Sequence, residues 1–246
     1  MHLKDKVCVV TGAASGIGEA VARAYAQAGA RGVVVADLKS SRDRLAKVAG
    51  DIDAFAVTAD VGQEADIKAL IAAAEAKYGP IDVLEYSPEP HTPPKDLREW
   101  MPTTMTIAEV EKRMRLSCYG AMVCANLVLP DMLACRSGTI LITISGSGIE
   151  PIKTLAAVGI SMAAARNYGC SLYQELQGKG VYAGVICLSL LIDEGDPYGD
   201  PNTLAEVYWD MHVKRDRPEF NITTPVDPHH HHLDDMKKYG IEMPKD

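Results

Sequence analysis

The chain is poor in aromatic residues and carries no surplus of positive charge. Aromatics make up 6% of its 246 residues, with two Phe and two Trp, so a core must be assembled mainly from aliphatic side chains. Lys and Arg number 25 against 33 Asp and Glu, a formal net charge of −8. No basic stripe is available for a polyanion, and no nucleic-acid partner is expected. Six cysteines are scattered without a Cys-x-x-Cys pair, which excludes the disulfide framework of small secreted domains. Long hydrophobic runs are also missing. The longest, "VYAGVICLSLLI" at 181–192, is too short to span a bilayer and reads as a buried strand. Met1–Lys6 leads straight into a strand-like segment, with no visible signal peptide. These absences predict a soluble, reduced, cytoplasmic protein with no membrane partner.

What is present alternates. "KVCVVTG" (6–12), "GVVVADL" (32–38), "DAFAVTADV" (53–61), "IDVLEYS" (81–87), "GTILITIS" (138–145) and 181–192 are apolar, β-branched segments. Between them lie helical stretches at 18–30, 41–50, 64–79, 106–135 and 154–178. Strand and helix in strict alternation predict a single α/β domain, a Rossmann-type doubly wound parallel sheet with helices on both faces. The domain is expected over 1–225, with 226–246 as a tail. The segment "SPEPHTPPKD" (87–96) must be an irregular loop. Leu204, Val207, Tyr208 and Met211 share one helical face. That helix is compatible with a substrate lid over 193–220 or with plain packing.

The chemistry begins at Thr11-Gly12-Ala13-Ala14-Ser15-Gly16-Ile17-Gly18, between the first strand and the first helix. Gly12 allows a sharp turn, Gly16 lets the backbone approach a pyrophosphate, and Gly18 lets helix and strand pack closely. Ser15, Ile17 and the helix N-terminus complete an anion cradle. About 20 residues on, Asp37 ends the second strand, where a carboxylate accepts ribose hydroxyls and repels a 2′-phosphate. NAD is therefore expected in preference to NADP.

The spacing T-G-x-x-x-G-x-G resembles the short-chain dehydrogenase/reductase (SDR) family. The resemblance covers roughly residues 3–190 and is closest over the first 80. It implies that Asp60-Val61 contacts the adenine and that Ser87 lies beside the dinucleotide. It also implies a hydride-transfer tetrad of Asn, Ser, Tyr and Lys, and here the chain departs from it. Ser117 stands at the Asn position, Gly146 at the Ser position, Val158 at the Tyr position and Met162 at the Lys position. The "NNAG" turn reads Tyr86-Ser87-Pro88-Glu89, and the Pro-Gly after the sixth strand reads Leu188-Ser189. The adenosine half is kept and the nicotinamide half is changed.

Replacement groups must come from elsewhere. Ser145 and Ser147 bracket the vacant serine position and could polarise a carbonyl. Tyr86 could donate a proton, with a pKa expected near 10 for want of a cationic neighbour. Glu85 and Glu89 read as solvated loop carboxylates, although a buried Glu would titrate upward. His91 in the proline loop has a suitable pKa. Tyr119 and Tyr168 read as packing residues on long helices. His229–His232 lack the spacing of a zinc site, so no metal is expected.

Three functions are compatible with this pattern. One is an NAD(H)-dependent oxidoreductase of a small carbonyl or alcohol with a non-classical proton donor. The second is a non-redox isomerase, lyase or cyclase using the same pocket. The third is an inactive relative. A homodimer or homotetramer is expected, since the resemblance implies pairing through the helices at 106–135 and 154–178.

Overall fold

The computed structural model describes residues 3–88, 96–190, 192 and 199–223. Seven strands form one parallel sheet: β1 (Val7–Thr11), β2 (Gly32–Asp37), β3 (Phe55–Thr58), β4 (Val83–Tyr86), β5 (Gly138–Ser145), β6 (Val181–Ser189) and β7 (Glu219–Thr223). Their order is β3-β2-β1-β4-β5-β6-β7. The chain winds outward from β1 in one direction, then crosses back to β4 and winds in the other. The crevice outside the carboxyl ends of β1 and β4 is the topological switch point at which such sheets bind ligands.

Among the described residues seven α-helices cover the sheet: α1 (Gly16–Gln27), α2 (Arg42–Asp51), α3 (Glu64–Tyr78), α4 (Ile107–Met114), α5 (Gly120–Cys135), α6 (Ala156–Leu176) and α7 (Pro201–Lys214). Because both sheet faces are covered, β1, β2 and β4 are buried at every position. Successive side chains feed two separate cores. Val9, Leu84, Ile140 and Ile142 join Leu70, Val128 and Ala165 from α3, α5 and α6. Cys8, Val10, Val83 and Leu141 join Val21, Tyr25, Leu204 and Tyr208 from α1 and α7.

Three features differ from the sequence expectation. The helix expected over 106–135 is divided by a π turn at Arg115–Tyr119, and α4 starts at a Thr106 cap whose hydroxyl accepts from Glu109 N at 3.2 Å. Ile107–Cys135 is apolar and long enough to cross a membrane, yet here Cys124, Ala125, Val128 and Met132 are buried in the core. A seventh strand, "EFNIT", escaped the reading because it is short and holds an Asn. Pairing with β6 and the Arg166–Glu219 ion pair hold it in place.

α7 is capped by Asp200, whose carboxylate accepts from Asn202 N at 2.8 Å. Its Leu204, Tyr208 and Met211 are buried in the core shared with α1, with Val207 packed at the margin. The helix is thus a packing element. Residues 193–198 of the expected lid, and the tail with His229–His232, lie outside the described residues.

Candidate active site

The glycine loop leaves β1 and enters α1 at the switch point. Gly12 has φ +69° and an added Cβ there would lie 2.4 Å from the Ser87 carbonyl oxygen, so only glycine fits. Gly16 has φ +61°, and the space where its Cβ would be is open. Gly18 lies so close beneath Gly12 that a Cβ would meet its carbonyl oxygen at 2.4 Å. The Thr11 hydroxyl accepts from Ser87 N at 3.2 Å and donates to the Glu85 carbonyl, which ties β1 to the end of β4.

Two cavities flank this loop, and both touch Gly12 and Pro88. The first, of about 360 Å³, lies against Asp37, Leu38, Asp60, Val61 and Gly62. Asp37 accepts from Ala14 N at 3.0 Å and Leu38 N at 2.7 Å, one donor on each oxygen. Both oxygens keep a free lone pair for a ribose hydroxyl. Asp60 accepts from Gly62 N at 2.9 Å, which shapes the turn beside Val61. The second cavity, of about 440 Å³, runs from Ser15, Gly16, Ile17 and Gly18 to the ends of β5 and β6 and the start of α6. Ser15 caps α1 in an extended conformation with no cap bond of its own, leaving its hydroxyl available.

Together these residues fit a dinucleotide. The open space above Gly16, beside the unpaired amides of the first turn of α1, suits a pyrophosphate. Asp37, Asp60 and Val61 line the side where an adenosine would lie.

The far end of the second cavity is apolar where resemblance would place acid and base. Val158 and Met162 both line it, each 4% exposed, alongside Ile144, Leu155 and Leu188. Gly146 is glycine for a steric reason, since an added Cβ would lie 2.2 Å from the Ser189 hydroxyl oxygen. Ser117, in the π turn, is buried with its hydroxyl 3.3 Å from that of Ser161.

The proposed replacements separate. Ser145 and Ser87 reach the cavity. The Ser145 hydroxyl also caps the turn at 146–148, accepting from Ser147 N at 3.3 Å. Ser147 is buried and donates to Ser145 at 3.2 Å, so it supports that serine without lining the cavity. Tyr86 is not in the site. Its ring points into the opposite core and its hydroxyl donates to the Leu116 carbonyl, under Gly120. Burial pushes its pKa well above the ordinary phenol value, so the expectation of about 10 is corrected. Tyr168 is half-buried against the core with its pKa raised to about 12 by burial, whereas Tyr119 is 46% exposed and is not a packing residue. Glu89 and His91 lie outside the described residues.

Glu85 reverses its expectation. It is a fully buried β4 residue, not a solvated carboxylate. Its Oε1 accepts from Thr143 at 3.0 Å, while Oε2 has no partner. Burial raises its pKa to about 8, against the smaller opposing pull of hydrogen bonds from Thr143 and Ser87. The alternation of β4 could have shown this, since Glu85 shares a face with the apolar Val83, a core residue.

Trp100 also went unread. It is buried and lines the second cavity, with its indole N–H donating to Glu109 Oε1 at 3.0 Å. Arg113 donates to the same oxygen at 2.9 Å and lies 4.5 Å over the ring. The Glu109–Arg113 spacing of four was the visible signal of this clamp.

The family described as short chain dehydrogenase matches residues 6–192. The chain belongs to the short-chain dehydrogenase/reductase family. Among SDR relatives, an uncharacterized oxidoreductase of Staphylococcus epidermidis is 31% identical over 207 residues, covering 82% of this chain and 86% of that protein. One from Staphylococcus aureus is 30% identical over 179 residues, 73% of this chain and 75% of its own. A (+)-cis,cis-nepetalactol synthase of Nepeta racemosa is 33% identical over 147 residues, 59% of this chain and 53% of its own. The family's sheet and glycine loop are thus joined in this SDR protein to an apolar α6 wall.

Proposed function

We propose that this SDR protein is an NAD(H)-dependent oxidoreductase of a small, largely apolar carbonyl or alcohol, with its proton transfer moved away from α6. The observation that carries the reading is the continuity of the second cavity. It joins the glycine loop directly to an apolar pocket of a size that suits a small ligand. Gly16, Ser15 and the first turn of α1 would hold the pyrophosphate, and Asp37, Asp60 and Val61 the adenosine. The bound dinucleotide supplies or accepts the hydride. Ile144, Val158, Met162 and Leu188 exclude water and favour an apolar substrate body, while the Ser145 hydroxyl is placed to orient a carbonyl oxygen at the rim. Six free cysteines accord with a reducing, cytoplasmic setting.

A panel of apolar ketones, aldehydes and alcohols, followed through the absorbance of reduced nicotinamide, tests this. Turnover with NAD(H) is expected. If no substrate changes the cofactor's redox state, the reading is wrong.

A second reading is favoured by the α6 wall itself, which carries no titratable side chain at the cavity. In it the protein rearranges its substrate without net redox change and keeps the dinucleotide as a structural ligand. The nepetalactol synthase relatives add weight to it. Product formation at constant nicotinamide absorbance would select it.

A further inference from the structure

We propose that Glu85 is the proton store of this site and exchanges its proton with the bound substrate through the hydroxyl of Thr143. The proposal rests on the oxidoreductase reading and names the group that replaces the missing α6 pair.

The geometry is a short chain of hydroxyls. β4 and β5 are paired neighbours with Glu85 beside Leu141. Two residues further along β5, Thr143 lies on the same sheet face. Its Oγ1 is 3.0 Å from Glu85 Oε1 and 2.7 Å from the Tyr208 hydroxyl. Thr143 also lines the second cavity, with Ser87 and Ser145. Thr143 therefore touches both the sealed carboxyl and the substrate space, and Ser87, the other hydroxyl that serves the carboxyl, lines the same cavity. Tyr25 on α1 and Tyr208 on α7 face the carboxyl from the helices packed over it. Cys8 on β1 lies near Tyr25, and Cys187 on β6 near Tyr208. With none of these groups cationic, nothing holds the carboxyl ionised at neutral pH.

A carboxyl that stays protonated reverses the Thr143 hydrogen bond. A proton on Oε1 donates to Thr143 Oγ1, and the hydroxyl's own hydrogen turns free for an acceptor in the cavity. In the reducing direction the carbonyl carbon accepts a hydride from the reduced dinucleotide, and the carbonyl π pair moves to oxygen. That oxygen takes the Thr143 hydrogen as Thr143 takes the Glu85 proton. The balance is alcohol, oxidised dinucleotide and a Glu85 carboxylate, which solvent reprotonates before the next turnover. Alcohol oxidation runs the same steps backward. A positioned acid of this kind is worth about 10²–10⁴-fold in rate.

The test compares wild type with Glu85→Gln, Thr143→Val and Thr143→Ser, using the most active carbonyl or alcohol substrate and NADH or NAD. Wild-type reduction is expected to decline above about pH 8, following Glu85. Glu85→Gln should lower kcat at least roughly 100-fold with little change in KM, and should erase that limb. Thr143→Val should do the same, and Thr143→Ser should recover most of the loss. Infrared spectroscopy gives a readout independent of turnover. A protonated-carboxyl stretch should be present in wild type at neutral pH, vanish in Glu85→Gln, and shift when NAD binds. If wild type is active and the variants keep its rate and pH profile, the relay is wrong while the oxidoreductase reading stands. If no hydride transfer occurs in wild type, both fall. Absence of the infrared band at neutral pH overturns the relay whatever the activity.

Discussion

Glu85 also makes the stability of the fold depend on pH in a way that can be calculated. In an unfolded chain its pKa is the ordinary 4.5, and burial raises it to about 8 in the folded protein. At about 1.36 kcal/mol per unit, ionising the folded carboxyl costs roughly 4–5 kcal/mol. The folded pKa is the higher one, so between these values the native state binds more protons than the unfolded state. Stability is then full below pH 4.5 and falls as pH rises through 8. Water reaching the carboxyl, or a tilt of Thr143 toward it, would reduce the loss, so the figure is a ceiling. Urea unfolding of wild type and Glu85→Gln, measured in steps from about pH 5 to about pH 9, reads it directly. Other titrating groups affect both proteins and cancel in the difference. The two should have similar stability near pH 5, and the glutamine variant should be the more stable by several kcal/mol near pH 9. Parallel curves would refute the burial of an uncompensated carboxyl, and wild type gaining on the variant with pH would reverse its sign.

NAD should bind more tightly than NADP, because Asp37 would face a 2′-phosphate, and Asp37→Ala should weaken NAD by roughly ten- to a hundredfold in calorimetry. Tighter binding of NADP to wild type would mean that Asp37 does not face the ribose. Val158→Tyr with Met162→Lys should not restore classical ketone reduction, since Ser189 fills the space a Gly146 side chain would need. Thermal melting of that double variant should fall, because the new lysine enters an apolar wall without a partner; strong ketone turnover would show the pocket to be less altered. We propose a homodimer or homotetramer through the α5 and α6 surfaces, where Leu133 (38%) and Ile160 (43%) stand exposed, with Tyr119 (46%) in the π turn before α5, and a monomer in light scattering at micromolar concentration would exclude it.

The fold was legible because each strand carries a signal that burial on both faces demands. "VCVVT" and "GVVVAD" could be read as parallel strands with nothing but their neighbours as guide. The glycine loop was legible from its own spacing, since Gly12 and Gly16 take positive φ and Gly18 packs against the Gly12 carbonyl. The remainder depended on distant partners. Nothing local to "LREW" says that Trp100 will bend over the cavity under Arg113. Tyr86 looked like a site residue because it ends a strand at the crevice. Its neighbour Glu85 looked like surface because it is charged. The pleat assigns them oppositely, Tyr86 to the α5 side and Glu85 to the α1 side. A one-residue alternation decided which of the two faces the chemistry.

That alternation also bears on why a carboxyl is tolerated in the middle of a parallel sheet. Val10 and Leu141 flank Glu85 in register on β1 and β5, and an apolar residue would pack there without an orphan oxygen. Leaving Oε2 unpartnered in a sealed core costs of the order of 1–3 kcal/mol even for the neutral acid, and ionisation adds to that. No ion pair or metal-binding cluster among the described residues recovers the cost. Thr143 and Ser87 serve the carboxyl only in part, and Oε2 keeps no partner. A structural role would favour replacement by Val, as at position 83 on the same face. A group that can hold a proton next to the substrate cavity has a use for that position which no apolar side chain shares. The α6 wall can then be wholly apolar, because the acid has moved to the strands beneath it.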